Sequence, residues 1–290
     1  MNTVDLHVHS DKSDGSFTPS QVVDLALAKG LSAFALTDHD TTAGLKEAQA
    51  AGKEKGIEVI SGIEFSTGYP IAGTAEKDIH IVGLFIDENA PAFQKHLKQF
   101  VDARIVRNKK MCDRLRADGI DISYEQLMEA FPGSVITRGH YARYLFEHGY
   151  VKSQPEAFDR YLGDHTKYFV PREKITPAQA VQLILDVKGI PILAHPTLYH
   201  LGKDQLNSLV QNLKEAGLVG IEAIYSTYSA GEERQMRQLA EKYQLLISGG
   251  SDFHGKNKPN LEIGTGYGKL FVPEDVLINL KNKRKELFHV

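Results

Sequence analysis

Apolar and polar residues alternate in short blocks along the first part of this chain. Apolar runs predict four strands, at residues 5–9, 31–36, 57–63 and 79–86. Amphipathic segments predict helices after the first two strands, from Thr18-Pro19 to Lys29-Gly30 and from about Thr42 to Gly56. Because strand, polar loop and helix follow one another regularly, this part is expected to consist of parallel β/α units.

The alternation stops near residue 88 and returns near residue 171. Between these points the pattern is helical without a convincing strand, with helices predicted at 91–117, 124–131, 139–147 and 155–162. Later strands are predicted at 190–194, 219–223 and 245–248, and later helices at 177–188, 205–216, 231–243 and 273–283. We therefore predict an α/β fold in which residues 1–87 and 171–290 form one β/α domain. Residues 88–170, here called the insertion, are expected to cap it and to select the substrate.

Composition removes several classes of protein from consideration. Hydrophobic residues make up 42% of the chain and charged residues 24%, which is ordinary for a globular protein. A formal net charge of −3 argues against a broad surface for duplex DNA, although a local basic pocket could still hold a small phosphorylated nucleotide or a short RNA. No apolar run reaches membrane length, and Met1 leads almost directly into the first strand, so a cytoplasmic location is expected. The pattern does not determine the oligomeric state.

The single cysteine, Cys112, excludes an internal disulfide and a cysteine zinc cluster. Any metal site must therefore consist of histidine, aspartate and glutamate side chains. The first strand offers two of these: His7 and His9 share one face of the strand, opposite Leu6 and Val8. Two imidazoles at this spacing can share one metal ion, although two structural histidines on a buried strand remain an alternative.

Most of the candidate ligands follow predicted strands. His9, Asp14, His39, Glu64, His195, Asp252 and His254 lie at or just past the carboxyl end of a strand, whereas His80 lies near the start of one. In a β/α barrel the carboxyl ends of the strands form one face, and that face carries the active site. Each residue alone has a structural explanation, such as a helix cap for His39 or a His-Pro turn for His195. Their convergence on one face is what predicts a site.

With His7, the set contains six histidines, two aspartates and one glutamate, which exceeds the needs of one tetrahedral ion and suits two or three. Mixed imidazole and carboxylate ligands favour Zn, Mn or Fe, and a carboxylate such as Glu64 can bridge two ions. Clusters of this kind activate water and hold phosphoryl oxygens, so the chemistry indicates hydrolysis of phosphate esters. A serine nucleophile is disfavoured, because the sequence around Ser251 lacks the G-x-S-x-G elbow.

Five ordered motifs resemble those of the PHP (polymerase and histidinol phosphatase) phosphoesterases: Asp5-Leu-His-Val-His-Ser, Thr37-Asp-His-Asp, Gly62-Ile-Glu64, Ala194-His-Pro and Gly250-Ser-Asp-Phe-His254. The resemblance implies a distorted (β/α)7 barrel with up to three metal ions. It implies that His7, His9, Glu64 and Asp252 hold one ion, and that Asp14, His39, Glu64 and His80 hold a second. His195 and His254 would bind a third ion or the substrate phosphate. Glu64, Asp252, His195 and His254 are the implied catalytic residues.

Asp14 departs from the pattern of histidinol phosphatases, which usually have histidine at this position. It resembles instead the branch of nucleoside 3′,5′-bisphosphate phosphatases and 5′-to-3′ exonucleases of short RNA. The implied substrate is a nucleoside 3′,5′-bisphosphate or a short 5′-phosphorylated RNA. Three alternatives stay open: a cyclic sugar-phosphate phosphodiesterase, a histidinol-phosphate phosphatase and a non-catalytic PHP binding module.

The insertion offers candidates for substrate binding. Arg104 and Asn108 interrupt the apolar stripe of its long helix, and a buried arginine requires an anion. Arg138-Gly139-His140 resembles an Arg-x-His element of the same branch, which usually has proline in place of Gly139, and it opens the next helix, where anions bind favourably. We expect Arg104, Asn108, Arg138 and His140 to contact the substrate; caps and surface ion pairs are the alternative. Five other basic residues of the helix are expected to face solvent: Arg107, Lys109, Lys110, Arg114 and Arg116.

Overall fold

Seven strands form one sheet whose spatial order follows the chain in the computed structural model, which describes residues 2–71, 76–172 and 174–290. The strands are β1 (Thr3–Val8), β2 (Leu31–Leu36), β3 (Glu58–Tyr69), β4 (Lys77–Leu84), β5 (Ile190–Leu193), β6 (Gly220–Tyr225) and β7 (Leu246–Gly250). Neighbours are parallel from β1 to β3 and from β5 to β7. Strand β4 is antiparallel to both β3 and β5.

The described residues contain ten α-helices. They are α1 (Pro19–Ala28), α2 (Leu45–Lys55), α3 (Pro91–Ala117), α4 (Tyr124–Ala130), α5 (Arg138–Glu147), α6 (Gln154–Ala157), α7 (Pro177–Asp186), α8 (Lys203–Glu215), α9 (Ala230–Lys242) and α10 (Glu274–Phe288). The main core joins buried residues of the strands, such as Phe34 and Ile81, to buried residues of the helices, such as Val22 and Leu209. No helix among the described residues has the length and apolar character needed to cross a membrane.

The sheet closes on itself where the chain leaves β7. The amide of Asp252 donates to the carbonyl of His7 at 2.9 Å, and the amide of His9 donates to the carbonyl of Phe253 at 2.9 Å. Register shifts in the β1–β2 and β6–β7 pairs distort the otherwise regular pairing. The predicted α/β fold, a distorted seven-stranded barrel, is therefore confirmed.

The prediction of parallel β/α units is wrong for β4. Strand β3 ends at Tyr69 and β4 begins at Lys77, a separation too short for a helical crossover, and the two strands form an antiparallel pair. The reversal explains the position of His80, which lies opposite Ser66 near the carboxyl end of β3. The start of an antiparallel strand thus reaches the same face as the ends of the parallel strands.

Several predicted boundaries differ from the structure. Strand β3 continues to Tyr69, so Glu64 lies inside the strand and not at its end. Helix α2 begins at Leu45, since the preceding residues form a turn, and α10 extends to Phe288. Apolar runs mark the buried part of an element, so they underestimate the length of a strand or helix whose ends are half-exposed.

Helices α3 to α6 contain a hydrophobic cluster of their own, which includes Met111, Leu127 and Tyr141. The segment before α5 is attached to the loop after β1. The amide of Val135 donates to the carbonyl of Lys12 at 2.9 Å, and the hydroxyl of Ser134 donates to the carbonyl of Asp11. The insertion is thereby held against the carboxyl end of the barrel.

We predict that Gly250→Ala destabilises the closure of the barrel. A Cβ atom at Gly250 would lie 2.5 Å from the Cβ atom and the backbone nitrogen of His7, closer than real atoms approach. Overpacking of this kind typically costs about 1–3 kcal/mol of unfolding free energy. Denaturant unfolding measures the loss. The matched control is Gly231→Ala in α9, where the nearest atom, Ser229 Oγ, lies 3.7 Å away. Equal stability of the two variants would show that β1 can move away from β7 at little cost.

Candidate metal centre

Nine predicted ligands meet at the carboxyl end of the barrel, and together they are called the metal centre. His7 and His9 come from the end of β1, Glu64 from β3, His80 from β4, and the others from loops that follow β1, β2, β5 and β7. Their donor atoms form four groups in which all atoms lie within 4.8 Å of one another: His7, His9 and Asp252; His7, Glu64 and His195; His39, Glu64 and His80; and His9, Asp14, His39 and His254.

The carboxylate of Glu64 lies at the centre of this arrangement and is 1% exposed. Its Oε1 atom lies 2.8 Å from His80 Nδ1 and 3.0 Å from His195 Nε2. Its Oε2 atom lies 3.0 Å from His39 Nδ1 and 3.3 Å from the Nε2 atoms of both His7 and His9. Each oxygen therefore faces a different set of imidazoles, which is the geometry of a bridging carboxylate.

The two aspartates extend the centre on the side of β7. Asp252 Oδ1 lies 3.3 Å from His9 Nε2 and 3.3 Å from His254 Nδ1. Asp14 Oδ1 lies 3.2 Å from His254 Nε2 and 3.9 Å from His39 Nε2. The geometry thus places His254 next to Asp14, whereas His195 belongs with Glu64 and His7.

Burial and the surrounding imidazoles shift the pKa values of the carboxylates in opposite directions. Burial raises the pKa of Glu64, but the charges of His39, His7 and His80 outweigh it and hold that pKa well below its usual range. The pKa values of Asp14 and Asp252 are likewise held low against burial, with His254 acting on both. The centre therefore presents anionic oxygens, which are the form that binds cations.

Hydrogen bonds outside the centre orient its ligands. Glu222, on β6, accepts from His7 Nδ1 at 2.8 Å through one oxygen and from the amide of His195 at 2.7 Å through the other. Asp252 accepts from the hydroxyl of Tyr225 at 2.6 Å and from Lys258 Nζ at 2.5 Å, both through Oδ2, so that Oδ1 faces the imidazoles. A carboxylate behind a histidine ligand fixes the ring and its tautomer, as in known metal sites.

The donor set fits divalent cations. Imidazole nitrogens and carboxylate oxygens are the ligands of Zn, Mn and Fe sites. The Nδ1 atom of His39 and the Oδ1 atom of Asp14 are buried and have charged neighbours at 3.0 Å and 3.2 Å but no hydrogen bond of regular geometry, and the Nε2 atoms of His7 and His9 face each other at 3.1 Å. Such converging donors are costly unless a cation joins them. Divalent ions held here would polarise phosphoryl oxygens and activate the attacking water.

A cavity of about 520 Å³ opens from the metal centre towards the insertion. Asp14, His39, His80 and His254 line its inner end. Five basic residues, called the basic wall, line it further out: Arg104, Arg107, Arg138, Arg172 and Lys174. The expectation that Arg107 faces solvent is wrong, because the side chain turns inward from α3 and is 6% exposed.

Two of the four residues expected to bind substrate do not line the cavity. Asn108 is buried and donates to the carbonyl of Ile136 at 3.0 Å. His140 is buried against Phe131, and its Nδ1 accepts from the amide of Thr137 at 2.9 Å, which caps α5. Thr137 in turn donates to Asp14 Oδ2 at 2.9 Å, so one residue separates His140 from a predicted metal ligand. Arg104 and Arg138 do line the cavity.

Sequence reasoning missed several residues of the site. Glu222 and Tyr225 lie on β6, whose six residues are all buried, and the signal that could have found Glu222 is a charged side chain within an otherwise apolar run. Arg172 and Lys174 follow the insertion in an irregular segment without periodicity. Lys258 lies six residues past Asp252 and reaches back to it. Such contacts depend on loop geometry, which the pattern does not encode.

We predict that Glu222→Gln weakens metal binding by about 10–100-fold, because removing an outer carboxylate behind a histidine ligand typically has this effect. Titration of chelator-stripped protein with Mn²⁺, followed by calorimetry, measures the change. Chelation itself should abolish hydrolysis. Glu241→Gln, at an exposed position of α9, is the matched control. Unchanged Mn²⁺ affinity in Glu222→Gln would show that Glu222 positions the backbone of His195 and does not affect metal binding.

Comparisons with known proteins agree with this geometry. A family model described as the PHP domain matches residues 5–175. A 3′,5′-nucleoside bisphosphate phosphatase from Chromobacterium violaceum is 34% identical over 265 residues, covering 91% of each chain. A 5′-3′ exoribonuclease from Haemophilus influenzae is 38% identical over 250 residues, covering 86% of this chain and 89% of that protein.

A phosphoribosyl 1,2-cyclic phosphate 1,2-diphosphodiesterase from Eggerthella lenta is 32% identical over 259 residues, covering 87% of this chain and 94% of that protein. The solved structure of an amidohydrolase from Chromobacterium violaceum, with bound sulfate and no metal, is similar with a TM-score of 0.86 at 33% identity, covering 97% of this chain and 96% of that one. The matched domain, the relatives and the geometry of the nine ligands lead to one conclusion. This chain belongs to the PHP family and is a metal-dependent phosphoesterase.

Proposed function

We propose that this enzyme hydrolyses the 3′-phosphate ester of a nucleotide that also carries a 5′-phosphate. Substrates of this kind are nucleoside 3′,5′-bisphosphates and short 5′-phosphorylated RNA, which the names of two relatives also indicate. The observation that carries the proposal is a buried arginine, Arg107, that has no anionic partner among the residues the structure describes and lies in the cavity that leads to the metal centre.

Arg107 has the surroundings of an unfilled anion site. Its Nε atom is buried without a hydrogen bond, and its Nη1 contacts only a weak acceptor, Met111 Sδ, at 3.5 Å. Burial, aided by the charge of Arg104, lowers the pKa of Arg107 to about 9. A buried guanidinium without a counter-ion is costly, and a phosphate would satisfy both its charge and its donors.

The neighbouring arginines leave the basic wall positive. Arg104 and Arg172 both donate to Asp40 Oδ2, from Nε at 2.8 Å and from Nη2 at 3.0 Å respectively. Burial raises the pKa of Asp40, but the two guanidinium groups outweigh it and hold that pKa at about 2. One carboxylate thus balances two guanidinium groups, and Arg107 adds a third positive charge beside them. An anion at this wall is attracted by the whole group.

Two anion sites in one cavity define the substrate class. The metal centre suits the phosphoryl group that reacts, and the basic wall suits a second phosphate that does not. A cavity of about 520 Å³ is of the size that encloses a small ligand. A nucleotide phosphorylated at both the 3′ and 5′ oxygens has two such groups separated by one ribose.

The same reaction serves both substrates. Water attacks the 3′ phosphorus, the bond from that phosphorus to the 3′ oxygen breaks, and the 3′ oxygen takes a proton. From a bisphosphate the products are a nucleoside 5′-phosphate and inorganic phosphate. From RNA they are a nucleoside 5′-phosphate and a shortened RNA that again bears a 5′-phosphate. Release of one nucleotide at a time from the 5′ end follows from recognition of the terminal phosphate.

We assign two to three divalent ions, Mn, Fe or Zn, to the metal centre, with Glu64 as a bridge and Asp252 as a terminal ligand. His195 and His254 are assigned to the side of the leaving oxygen, as ligands or as proton donors. The insertion, through Arg107, Arg104 and Arg138, selects the substrate. Asn108 and His140 are assigned supporting roles, because neither lines the cavity, Asn108 Nδ2 donates to the carbonyl of Ile136, and His140 Nδ1 accepts from the amide of Thr137.

A cyclic sugar-phosphate phosphodiesterase is the second candidate, supported by the relative from Eggerthella lenta. A substrate with a single phosphate would leave Arg107 without an anion, so this candidate function does not explain the buried charge of Arg107. A histidinol-phosphate phosphatase is disfavoured by Asp14. A non-catalytic binding module is disfavoured by the complete set of nine ligands.

We predict that Arg107→Met lowers kcat/KM for adenosine 3′,5′-bisphosphate by about 10–100-fold, since a charge-assisted hydrogen bond contributes about 1.5–3 kcal/mol. Activity on adenosine 3′-phosphate, which lacks the second phosphate, should hardly change. The thermal stability of the variant should be maintained or raised, because an unpaired buried charge is removed. Steady-state kinetics on the two substrates and a melting curve measure these effects.

The matched control is Arg116→Met, which lies on the same helix at an exposed position paired with Asp113. It should leave both activities unchanged. Equal losses on both substrates in Arg107→Met would show that the residue supports the metal centre and not a second anion. Faster hydrolysis of a cyclic ribose phosphate than of either adenosine substrate would favour the second candidate.

A further inference from the structure

We infer that Phe158 and Phe169 form a stacking site for the nucleobase of the substrate. This inference rests on the proposed function and goes beyond it, because neither the metal centre nor the basic wall distinguishes a nucleotide from a sugar bisphosphate. Apart from histidines, these two are the aromatic residues among the described lining of the cavity. Together they are called the aromatic lip.

Phe158 is exposed in an unusual place. It is 38% exposed, although Ala157 before it and Leu162 at the end of the same turn belong to the hydrophobic cluster of the insertion. The ring lies at the start of a π-helical turn, Phe158–Leu162, in which the amide of Gly163 donates to the carbonyl of Phe158 at 2.8 Å. Ala157 and Leu162, at either side of this stretch, are fully buried. Turns of this type are rare and frequently occur at functional sites.

Phe169 is held in place from behind. The Nη1 atom of Arg114 donates to the carbonyls of Phe169, at 2.5 Å, and of Lys167, at 3.2 Å. The guanidinium of Arg138 lies 5.9 Å from the centre of the Phe169 ring. A cation near an aromatic face stabilises the position of the ring. Phe169 is therefore a fixed surface that is half-buried in the wall of the cavity.

Arg138 connects the aromatic lip to the metal centre. It donates to Asp164, at 2.5 Å, and weakly to the carbonyl of Leu162, where the π-helical turn ends. On its other side it lies 3.5 Å from Asp78, which lies 3.6 Å from His80 of the metal centre. Because two carboxylates already neutralise Arg138, its guanidinium has less need of a phosphate than that of Arg107. Its contacts indicate that it fixes the lip relative to the metal centre, through Phe169 and Leu162 on one side and Asp78 on the other.

The chemistry of the lip identifies its occupant. The ligand must be flat and uncharged where it touches the rings, yet belong to a molecule whose other groups are anionic. Gln154, also in the lining, offers an amide to the edge of such a group. A nucleobase meets these conditions, whereas a sugar phosphate without a base would leave both rings uncovered. Since every base has a π-face, stacking here should tolerate all four bases.

The test compares adenosine 3′,5′-bisphosphate with ribose 3,5-bisphosphate, which has both phosphates and no base. Phe158→Ala should raise KM for the nucleotide about tenfold, within the range that base stacking contributes, and should hardly change kcat. The same change should not affect kinetics on the abasic substrate. Phe146→Ala is the matched control, because Phe146 is 46% exposed on α5 but does not line the cavity.

A second measurement does not depend on turnover. The chain contains no tryptophan, so Phe158→Trp introduces a single indole at the aromatic lip. Adenosine 5′-phosphate should quench its fluorescence, ribose 5-phosphate should not, and the control Phe146→Trp should respond to neither. Retained nucleotide kinetics in Phe158→Trp would show that a larger ring can also stack.

Three results would overturn the inference. The first is an equal rise of KM on both bisphosphates in Phe158→Ala, which would indicate a structural role. The second is an equal kcat/KM of the unchanged enzyme for both bisphosphates. The proposed function would survive this result if Arg107→Met still lowered kcat/KM for both of them. The third is fluorescence at position 158 that ignores adenosine 5′-phosphate. If neither bisphosphate is hydrolysed, the proposed function fails, and the fluorescence titration alone decides whether the lip binds a base.

Discussion

The structure depends on one buried carboxylate that faces five imidazoles. Glu64 is nearly inaccessible to solvent, and its two oxygens lie within 3.3 Å of ring nitrogens that come from or follow four different strands. Burying a charge is costly unless other groups compensate it. The compensation here exists only if the strands end at the same level and the sheet closes between β1 and β7. The barrel can thus be understood as the frame that brings these groups together, and divalent ions complete the balance of charge.

The antiparallel pairing of β4 is the main departure from a regular β/α barrel, and it determines which residues of β4 reach the metal centre. Reversal of β4 brings its first residues, Asp78 and His80, to the active face, where a parallel strand would have placed its last residues. His80 joins the metal centre, and Asp78 pairs with Arg138 from the insertion. The insertion also reaches the centre through Thr137 and Asp14. The part of the chain proposed to select the substrate is therefore in contact with the part that holds the metals.

Opposite charges are arranged along one cavity. Its inner end borders the buried carboxylates of the metal centre, which require cations and one of which, Asp14, lines it, and its wall carries guanidinium groups, of which Arg107 has no anionic partner in the described part of the chain. Each requirement is left unmet by the protein itself. Under the proposed function, metal ions satisfy the first requirement and a phosphorylated substrate satisfies the second, with its reacting phosphoryl group at the metal centre and its other phosphate at the arginines. Binding and catalysis are thus two results of the same unbalanced distribution of charge.

The sequence by itself determined the elements and most of the metal centre. Hydrophobic periodicity predicted the strands, and the i, i+2 spacing of His7 with His9 placed this pair on one side of β1, because side chains alternate along extended backbone. Asp252 and His254 also reach the centre, but from the loop after β7, where the backbone of Asp252 is left-handed. Only the tertiary structure decided what long-range packing controls. The direction of β4 depends on a loop, the burial of Arg107 depends on how α3 lies on the barrel, and Glu222 became important only through its contact with His7, 215 residues away. Local patterns encode which face of a strand or helix a residue occupies. Which distant residue it contacts there depends on the closed fold.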